Sequence, residues 1–282
     1  MEVIEECRQK IEDADIVLIG FGKEFNIKRS DILKDNDMYN VLELEESPLT
    51  DLEKQWIELT IMSKILENGD CAIVKERQEI YNRIAEFLHK NGKNNYFVVT
   101  TCNDDIIRSS SFDKDRMVAP CGTLEYMKCD TGCFKHVYPT KEVYDNIYAI
   151  LMKHQTDGFA DRGAMWDELK EAMPQCPMCK QVMSINMVKT NNYSEEGYRE
   201  SWDSYMAWLQ KTLNRKLVMV ELGEGFDTPT VIRWPFEKVA AVNNKAVLIR
   251  VNEKFWQISE DIEAKAMPVK VSGIDFLNKL VL

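Results

Sequence analysis

Four of the eight cysteines fall in two close pairs, Cys129-x3-Cys133 and Cys176-x2-Cys179. Pairs at these spacings suit a closed four-sulfur zinc site. In Cys176-Pro177-Met178-Cys179 the proline fixes the backbone between the ligands, as a metal knuckle requires. A site closed by four thiolates leaves no position for a substrate, so the zinc it implies is structural and the chemistry lies elsewhere. The bland alternative is a set of free, reduced, partly buried thiols, and two close pairs weigh against it. Residues 134–175 separate the pairs, 42 residues in all. The module that the cysteines staple therefore carries an insertion.

The rest of the chain alternates between strand and helix signatures. Residues 2–13 read as a short amphipathic helix. Asp15-Ile16-Val17-Leu18-Ile19-Gly20 is a short apolar run bounded by an acid and a glycine, the pattern of a buried parallel strand. It enters a tight turn, Gly20-Phe21-Gly22. Residues 23–46 are polar and read as irregular. Thr50-Asp51-Leu52-Glu53 is a capping box opening a helix that buries Trp56, Leu59, Met62 and Ile65 and stops at Gly69. A second helix turns Ile80, Ile84, Phe87 and Leu88 inward and breaks at Gly92.

Residues 96–101 form a second buried run. Residues 103–109 read as the start of a helix, and 116–120 as a short third strand leading to Cys121-Gly122. Val143, Ile147, Ile150 and Leu151 mark a helix in the insertion. Residues 159–163 read as loop, and a helix rich in aromatics lies near 195–214. Leu217 to Leu222 is a strand entering Gly223-Glu224-Gly225. Residues 246–252 form another, and a last helix covers roughly 273–280. The expected class is α/β, a doubly wound Rossmann-like parallel sheet with ligands at the strand C-termini and a small inserted zinc-binding module. The expected division is 1–120 with 215–282 for the Rossmann-like part, including a helical segment 24–92, and 121–214 for the module.

Composition narrows the function classes. At 282 residues and 45% hydrophobic content a sizeable core is available. A net charge of −11 argues against non-specific nucleic-acid binding and against adsorption to anionic membranes. No run of 18 apolar residues suggests a transmembrane helix, and Met1 to Lys10 lacks the apolar stretch of a signal peptide. A cytoplasmic protein with reduced cysteines is expected.

Three segments carry candidate chemistry. Gly20-x-Gly22 permits close backbone approach to phosphate, although taken alone ordinary turn glycine is the better reading. In Thr101-Cys102-Asn103-Asp104-Asp105, Asn103 and Asp105 leave a strand end two residues apart and are able to face one cleft. Equally, Asn103 caps a helix and Asp105 complements its positive end. Gly223 and Gly225 suit backbone approach to a ligand, or an ordinary strand-to-helix connection.

In this order, the motifs resemble those of the sirtuins, the silent-information-regulator family of NAD-dependent enzymes. Residues 101–105 are similar to the family's Thr-Gln-Asn-Ile-Asp. Cys121-Gly122 falls where the family has His-Gly, and Gly223-Glu224-Gly225 where it has Gly-Thr-Ser. Ile249-Arg250-Val251-Asn252 is similar to the strand whose asparagine meets the adenosine ribose. Residues 221–237 resemble most the microbial macrodomain-associated, or class M, sirtuins. The resemblance spans about residues 16–277. It departs at Gly20-Phe21-Gly22-Lys23-Glu24, where the family has Gly-Ala-Gly-x-Ser and Phe21 stands where alanine lies against the dinucleotide.

The resemblance implies that NAD is a substrate. Nicotinamide leaves and ADP-ribose passes to an acceptor. Asn103 and Asp105 are the implied catalytic residues. Gly20, Gly22, Gly223, Gly225 and Asn252 are the implied nucleotide contacts, and Cys129, Cys133, Cys176 and Cys179 the zinc ligands. Position 121 is cysteine, a poor base at neutral pH. None of His89, His136 and His154 replaces the missing histidine. As in class M, this implies transfer to a protein acceptor, for which a lipoyl-carrier-type protein is the class's implied target. The alternatives are a catalytically degenerate nucleotide- or partner-binding protein, an NAD-dependent deacylase, and an NAD hydrolase.

Overall fold

The computed structural model describes residues 2–281. Helix α1 (Glu2–Glu12) leads into β1 (Ile16–Phe21), which is buried along its whole length. Residues 23–46, read as irregular, instead contain 3-10 turns and two short helices, α2 (Arg29–Leu33) and α3 (Asp37–Leu42). Their apolar residues are too few per turn to register as periodic, yet Ile32, Leu33 and Leu42 are buried. Helix α4 (Asp51–Asn68) opens on the expected capping box: Glu53 N–H donates to Thr50 Oγ1 at 3.3 Å, and Thr50 N–H donates back to the Glu53 carboxylate at 2.7 Å. Gly69 closes it in the left-handed conformation.

Helix α5 (Ala72–Lys90) precedes β2 (Tyr96–Thr100). The expected helix at 103–109 is not there. Asp105 takes a left-handed backbone, φ 57°, and only a 3-10 turn follows at Ile106–Ser109. The third strand is short, β3 (Met117–Val118). Then come β4 (Gly122–Lys128), β5 (Val137–Pro139), α6 (Lys141–Gln155), α7 (Arg162–Ala172) and β6 (Ser184–Met187). Helix α7 begins within what reads as loop, because Asp161 caps it by accepting from Ala164 N–H at 3.0 Å. The aromatic helix near 195–214 is shorter, α8 (Arg199–Gln210). Strand β7 (Leu217–Leu222), helix α9 (Arg233–Val242), strands β8 (Val247–Val251) and β9 (Ala266–Val269), and helix α10 (Gly273–Leu280) complete the chain.

Six strands form one sheet in the order β3-β2-β1-β7-β8-β9, every neighbouring pair parallel. The chain builds outward from β1 to β3, then restarts beside β1 with β7. That reversal makes a switch point between β1 and β7. One face of the sheet packs Val17, Ile19, Val220 and Leu222 against Ile11 of α1, Ile84 and Leu88 of α5 and Leu277 of α10. The other face packs Ile16, Leu18, Phe97 and Met219 against Tyr205 of α8 and Phe236 of α9. Phe21 does not line a ligand site. It is fully buried on the first face, edge-on to Phe25, Tyr81 and Phe112.

Strands β5-β4-β6 form a separate antiparallel sheet. Helices α6 and α7 accompany it, and α4 reaches across to them. Trp56 of α4 stacks near Tyr144 of α6 and donates its indole N–H to Met183 O at 2.7 Å. No helix among the described residues is long and apolar enough to cross a membrane.

Candidate active site

Ligands of doubly wound sheets bind outside the C-terminal strand ends, at the switch point. Here the chain leaves β1 at Gly22 and β7 at Gly223, and the two backbones nearly touch. A Cβ on Gly22 would lie 2.4 Å from Glu224 backbone atoms. Gly223 has φ +62°, and a Cβ there would lie 2.4 Å from the Glu24 side chain. Both glycines are therefore required by close approach. Gly20 is placed differently: its Cα faces α9, and a Cβ would lie 2.6 Å from Ile232. It permits helix-on-sheet packing.

Gly223, Gly225 and Asn252 line one cavity of about 390 Å³, together with Lys23, Glu24, Phe226 and Phe255. Asn252 is fully engaged. Its Nδ2 donates to Glu224 O at 3.0 Å, and its Oδ1 accepts from Lys254 and Phe255 N–H at 2.9 and 2.8 Å. It shapes the cavity wall from both strand ends. Asp105 borders a second, larger cavity of about 600 Å³ with Arg108, Glu125 and Tyr144. Asn103 lines neither. Its backbone N–H donates to Asn26 Oδ1 at 2.8 Å, and its amide rests 3.7 Å from Met187 Sδ on β6. That leaves the Asn103 side chain without an oxygen or nitrogen partner, at the junction of sheet and module.

Two buried acids escaped the sequence reading. Glu224 accepts from Thr101 Oγ1 at 2.8 Å and from Thr228 Oγ1 at 3.4 Å. Asp104 accepts from Ile27 N–H at 2.7 Å and from Ile106 N–H at 3.2 Å, tying the strand end to the segment after β1. The signal for Glu224 was present, a charge between two glycines at a strand end. Cys121 is buried, and burial, with Glu224 nearby, pushes its thiol up to about 11. It is a neutral thiol at pH 7. The histidines lie elsewhere: His89 meets Asn94, His136 meets Glu196, and His154 is buried near Glu168.

The four paired cysteines converge. Their sulfurs all lie within 4.8 Å of one another. The edges Cys129–Cys133, Cys129–Cys179 and Cys133–Cys176 are 3.3, 3.7 and 3.5 Å. A tetrahedron with metal–sulfur bonds of about 2.3 Å has edges of about 3.8 Å, so the residues fit a metal ion. The knuckle is held by Lys180 N–H to Cys176 O at 2.9 Å and Cys176 N–H to Gln181 O at 2.8 Å.

Comparison with solved structures identifies the architecture. A structure concerned with sirtuin substrate affinity matches with a TM-score of 0.50 over 98% of this chain and 97% of that chain. The chain has the sirtuin fold. A Sir2 homologue variant in complex with 2′-O-acetyl ADP-ribose matches with a TM-score of 0.51, over 98% and 94% of the two chains. Both sirtuins are 12% identical to it. No protein-family model matches. Among curated proteins, a "Protein ADP-ribosyltransferase" of Staphylococcus aureus is 21% identical over 174 residues, 61% of this chain and 51% of that protein. A "Probable bifunctional ADP-ribose hydrolase/ADP-ribosyltransferase" of Fusarium oxysporum f. sp. cubense is 29% identical over 159 residues, 55% of this chain and 25% of that protein. The chain thus spans about half the length of the first and a quarter of the second.

The buried acids of this sirtuin-fold cleft give stability a pH dependence. Burial raises Asp104 to about 6, and Asp105 and Glu224 each to about 7. A carboxyl with a raised folded pKa holds its proton more tightly when folded. Its contribution is complete below the unfolded value near 4, falls steadily as pH rises, and is gone above the folded value of about 6 to 7. The melting temperature is expected to be higher at pH 5.5 than at pH 8, with the fall levelling off above about pH 7. A melting temperature that rises across that interval would contradict this account of the three acids.

Proposed function

We propose that this chain cleaves the nicotinamide–ribose bond of NAD and passes ADP-ribose to a protein acceptor. The observation that carries the reading is the crossing of Gly22 over Gly223–Glu224 at the switch point of a sirtuin fold. It stands beside a strand end bearing Asn103 and Asp105, with no histidine among its residues. The ADP-ribosyltransferase names of the two curated relatives support it.

In this reading the C1′–N bond breaks and its electron pair leaves with nicotinamide. A lone pair of the acceptor forms the new bond to C1′, and the acceptor's proton passes to solvent. Asn103 contacts the nicotinamide ribose with its side-chain amide. Asp105 orients the carboxamide and stabilises positive charge as the bond opens. Gly22 and Gly223 let the dinucleotide approach the backbone, and Asn252 fixes the adenosine end. The cleft toward β6 admits the acceptor. A lipoyl-carrier-type protein is the candidate drawn from class M. Zinc in the four-cysteine site is structural, and the acidic, thiol-bearing chain suits the cytoplasm.

The test is nicotinamide release from NAD by the zinc-loaded protein, with and without host lysate. Release is expected to depend on lysate and to fall about 100-fold or more in Asn103→Ala, the usual cost of one lost transition-state donor. Efficient deacylation of an acetyl-lysine peptide would overturn the choice of acceptor. The two carboxylates at the cleft, Glu24 and Glu224, favour a second reading: a nucleotide- or partner-binding protein without turnover. That protein would shift its melting temperature with ADP-ribose and release no nicotinamide.

A further inference from the structure

The anion-holding features of this cleft are met by the chain itself. Two devices hold diphosphate in such folds: glycine backbone at the first strand turn, and the N–H groups of a helix N-terminus. In the first turn three of the four donors are spent internally. Gly22 N–H donates to Leu222 O at 2.7 Å, Glu24 N–H to Gly223 O at 3.3 Å and Phe25 N–H to Gly22 O at 3.0 Å. Gly223 N–H donates to Val251 O at 2.9 Å. Among the described residues the N–H groups of Lys23, Glu224 and Gly225 have no acceptor.

The helix N-terminus is taken too. The Glu24 side chain lies directly over Gly223, and its carboxylate accepts from Gly273 N–H, the first residue of α10, at 2.7 Å. Glu24 also lines the 390 Å³ cavity with Gly223, Gly225 and Asn252. A negative charge thus already sits where a ligand's negative charge would go.

We propose that Glu24 is an internal anion in the diphosphate seat, and that an ADP-ribosyl ligand enters by exchanging with it, with proton uptake at the carboxylates lining the cleft. This deepens the NAD reading and rests on it. The charges that bear on the two carboxylates set the direction. Glu24 faces Glu253 after β8, Arg77 of α5 and the amides of Gly273 and Ile274; burial raises it above the usual carboxylate range. Glu224 faces Thr101, Thr228, Glu221, Lys23 and the Cys121 thiol, and burial raises it to about 7. Lys23, the nearest cation on the first turn, is already paired with Asp227 at 3.1 Å. A diphosphate arriving here adds negative charge beside acids that are already reluctant to ionise. Each such acid that takes up a proton on binding weakens affinity about tenfold per pH unit above its pKa.

The experiment titrates ADP-ribose into the whole protein by calorimetry at pH 6, 7 and 8, each in two buffers of different ionisation heat. The wild type is expected to take up a fraction of a proton to one proton and to bind about tenfold more weakly at pH 8 than at pH 7. Glu24→Gln keeps length and packing but not charge, and is expected to bind at least about fivefold more tightly at pH 8, with less proton uptake. Glu24→Ser vacates the seat and is expected to do the same, so the comparison survives if one variant folds poorly. Equal affinity and equal pH slope in wild type and both variants would overturn the exchange and leave the NAD reading standing. No binding of ADP-ribose or NAD by any of the three would overturn both.

Discussion

Removing metal from the four-cysteine site is expected to melt the β4–β5–β6 module while the parallel sheet stays folded. Structural zinc binding contributes on the order of 10 kcal/mol or more to small modules, because the site does not exist in the unfolded chain. Here a metal held by the four cysteines would close a module of short strands. Strand β5 has only three residues, and residues 129–136 and 174–183 hold no regular element longer than a bridge. Besides the knuckles, those loops are fixed by a few side-chain hydrogen bonds, such as Asn192 Nδ2 to Asp130 O and Trp56 Nε1 to Met183 O. The sheet has independent support: the core beneath α8 and α9 draws on β1, β2, β3, β7 and β8 and on no residue between 121 and 190. Hydrogen exchange after treatment with a strong chelator is the measurement. Protection is expected to be lost in β4 and β6 and kept in β1, β2 and β7. Cys176→Ser is expected to purify with well under one zinc per chain and to show the same local exposure. Full occupancy of the module's protected amides in a metal-free sample would refute the structural metal.

The elements legible in the sequence were those whose information is local. Strands β1, β2 and β7 are buried on both faces, so each appears as an unbroken apolar run. The Thr50–Glu53 box and Gly69 sit directly at the two ends of α4. The elements that escaped depend on distant partners or on tolerated exceptions. Strand β4 mixes Leu124 with exposed Glu125 and draws its stability from β5 and β6. Strand β9 contains Pro268, which is accepted only because β9 is the sheet edge. Helix α9 holds Pro235 in its first turn, where the missing N–H costs nothing.

The candidate site divides along the same line. That Gly22, Asn103, Asp105, Gly223 and Asn252 sit at strand ends follows from the chain alone. What they touch does not. Asp105 turns left-handed toward Leu124, 19 residues on, and Glu24 meets a helix 249 residues away. The four cysteines were the exception, because a metal site demands convergence whatever the intervening chain does.

Replacing Arg250 with leucine is expected to destabilise the protein by about 3–5 kcal/mol, the usual cost of stranding one member of a buried ion pair. Glu221 of β7 and Arg250 of β8 are direct cross-strand neighbours, and neither side chain has any solvent exposure. Arg250 grips both Glu221 oxygens, Nε to Oε1 at 2.9 Å and Nη2 to Oε2 at 2.8 Å, and its remaining nitrogen reaches Glu237 at 2.7 Å and Gln257 O at 2.9 Å. Without it Glu221 keeps only Arg233, at 3.1 Å. Arg233 also donates to Phe255 O at 3.0 Å, so the network anchors the loop that walls the 390 Å³ cavity. A second consequence follows: Arg250→Leu is expected to weaken ADP-ribose binding although Arg250 lines no cavity. The double variant Glu221→Met with Arg250→Leu removes both charges, and buried pairs so replaced are often neutral. It is expected to recover only part of the lost stability and none of the binding, because the buried Arg233 then has no carboxylate to pair with or to hold it beneath Phe255. Urea unfolding of wild type, both single variants and the double gives the coupling energy. A coupling below about 1 kcal/mol would mean that the pair is spectator to the sheet, and the anchoring role of Arg233 would fall with it.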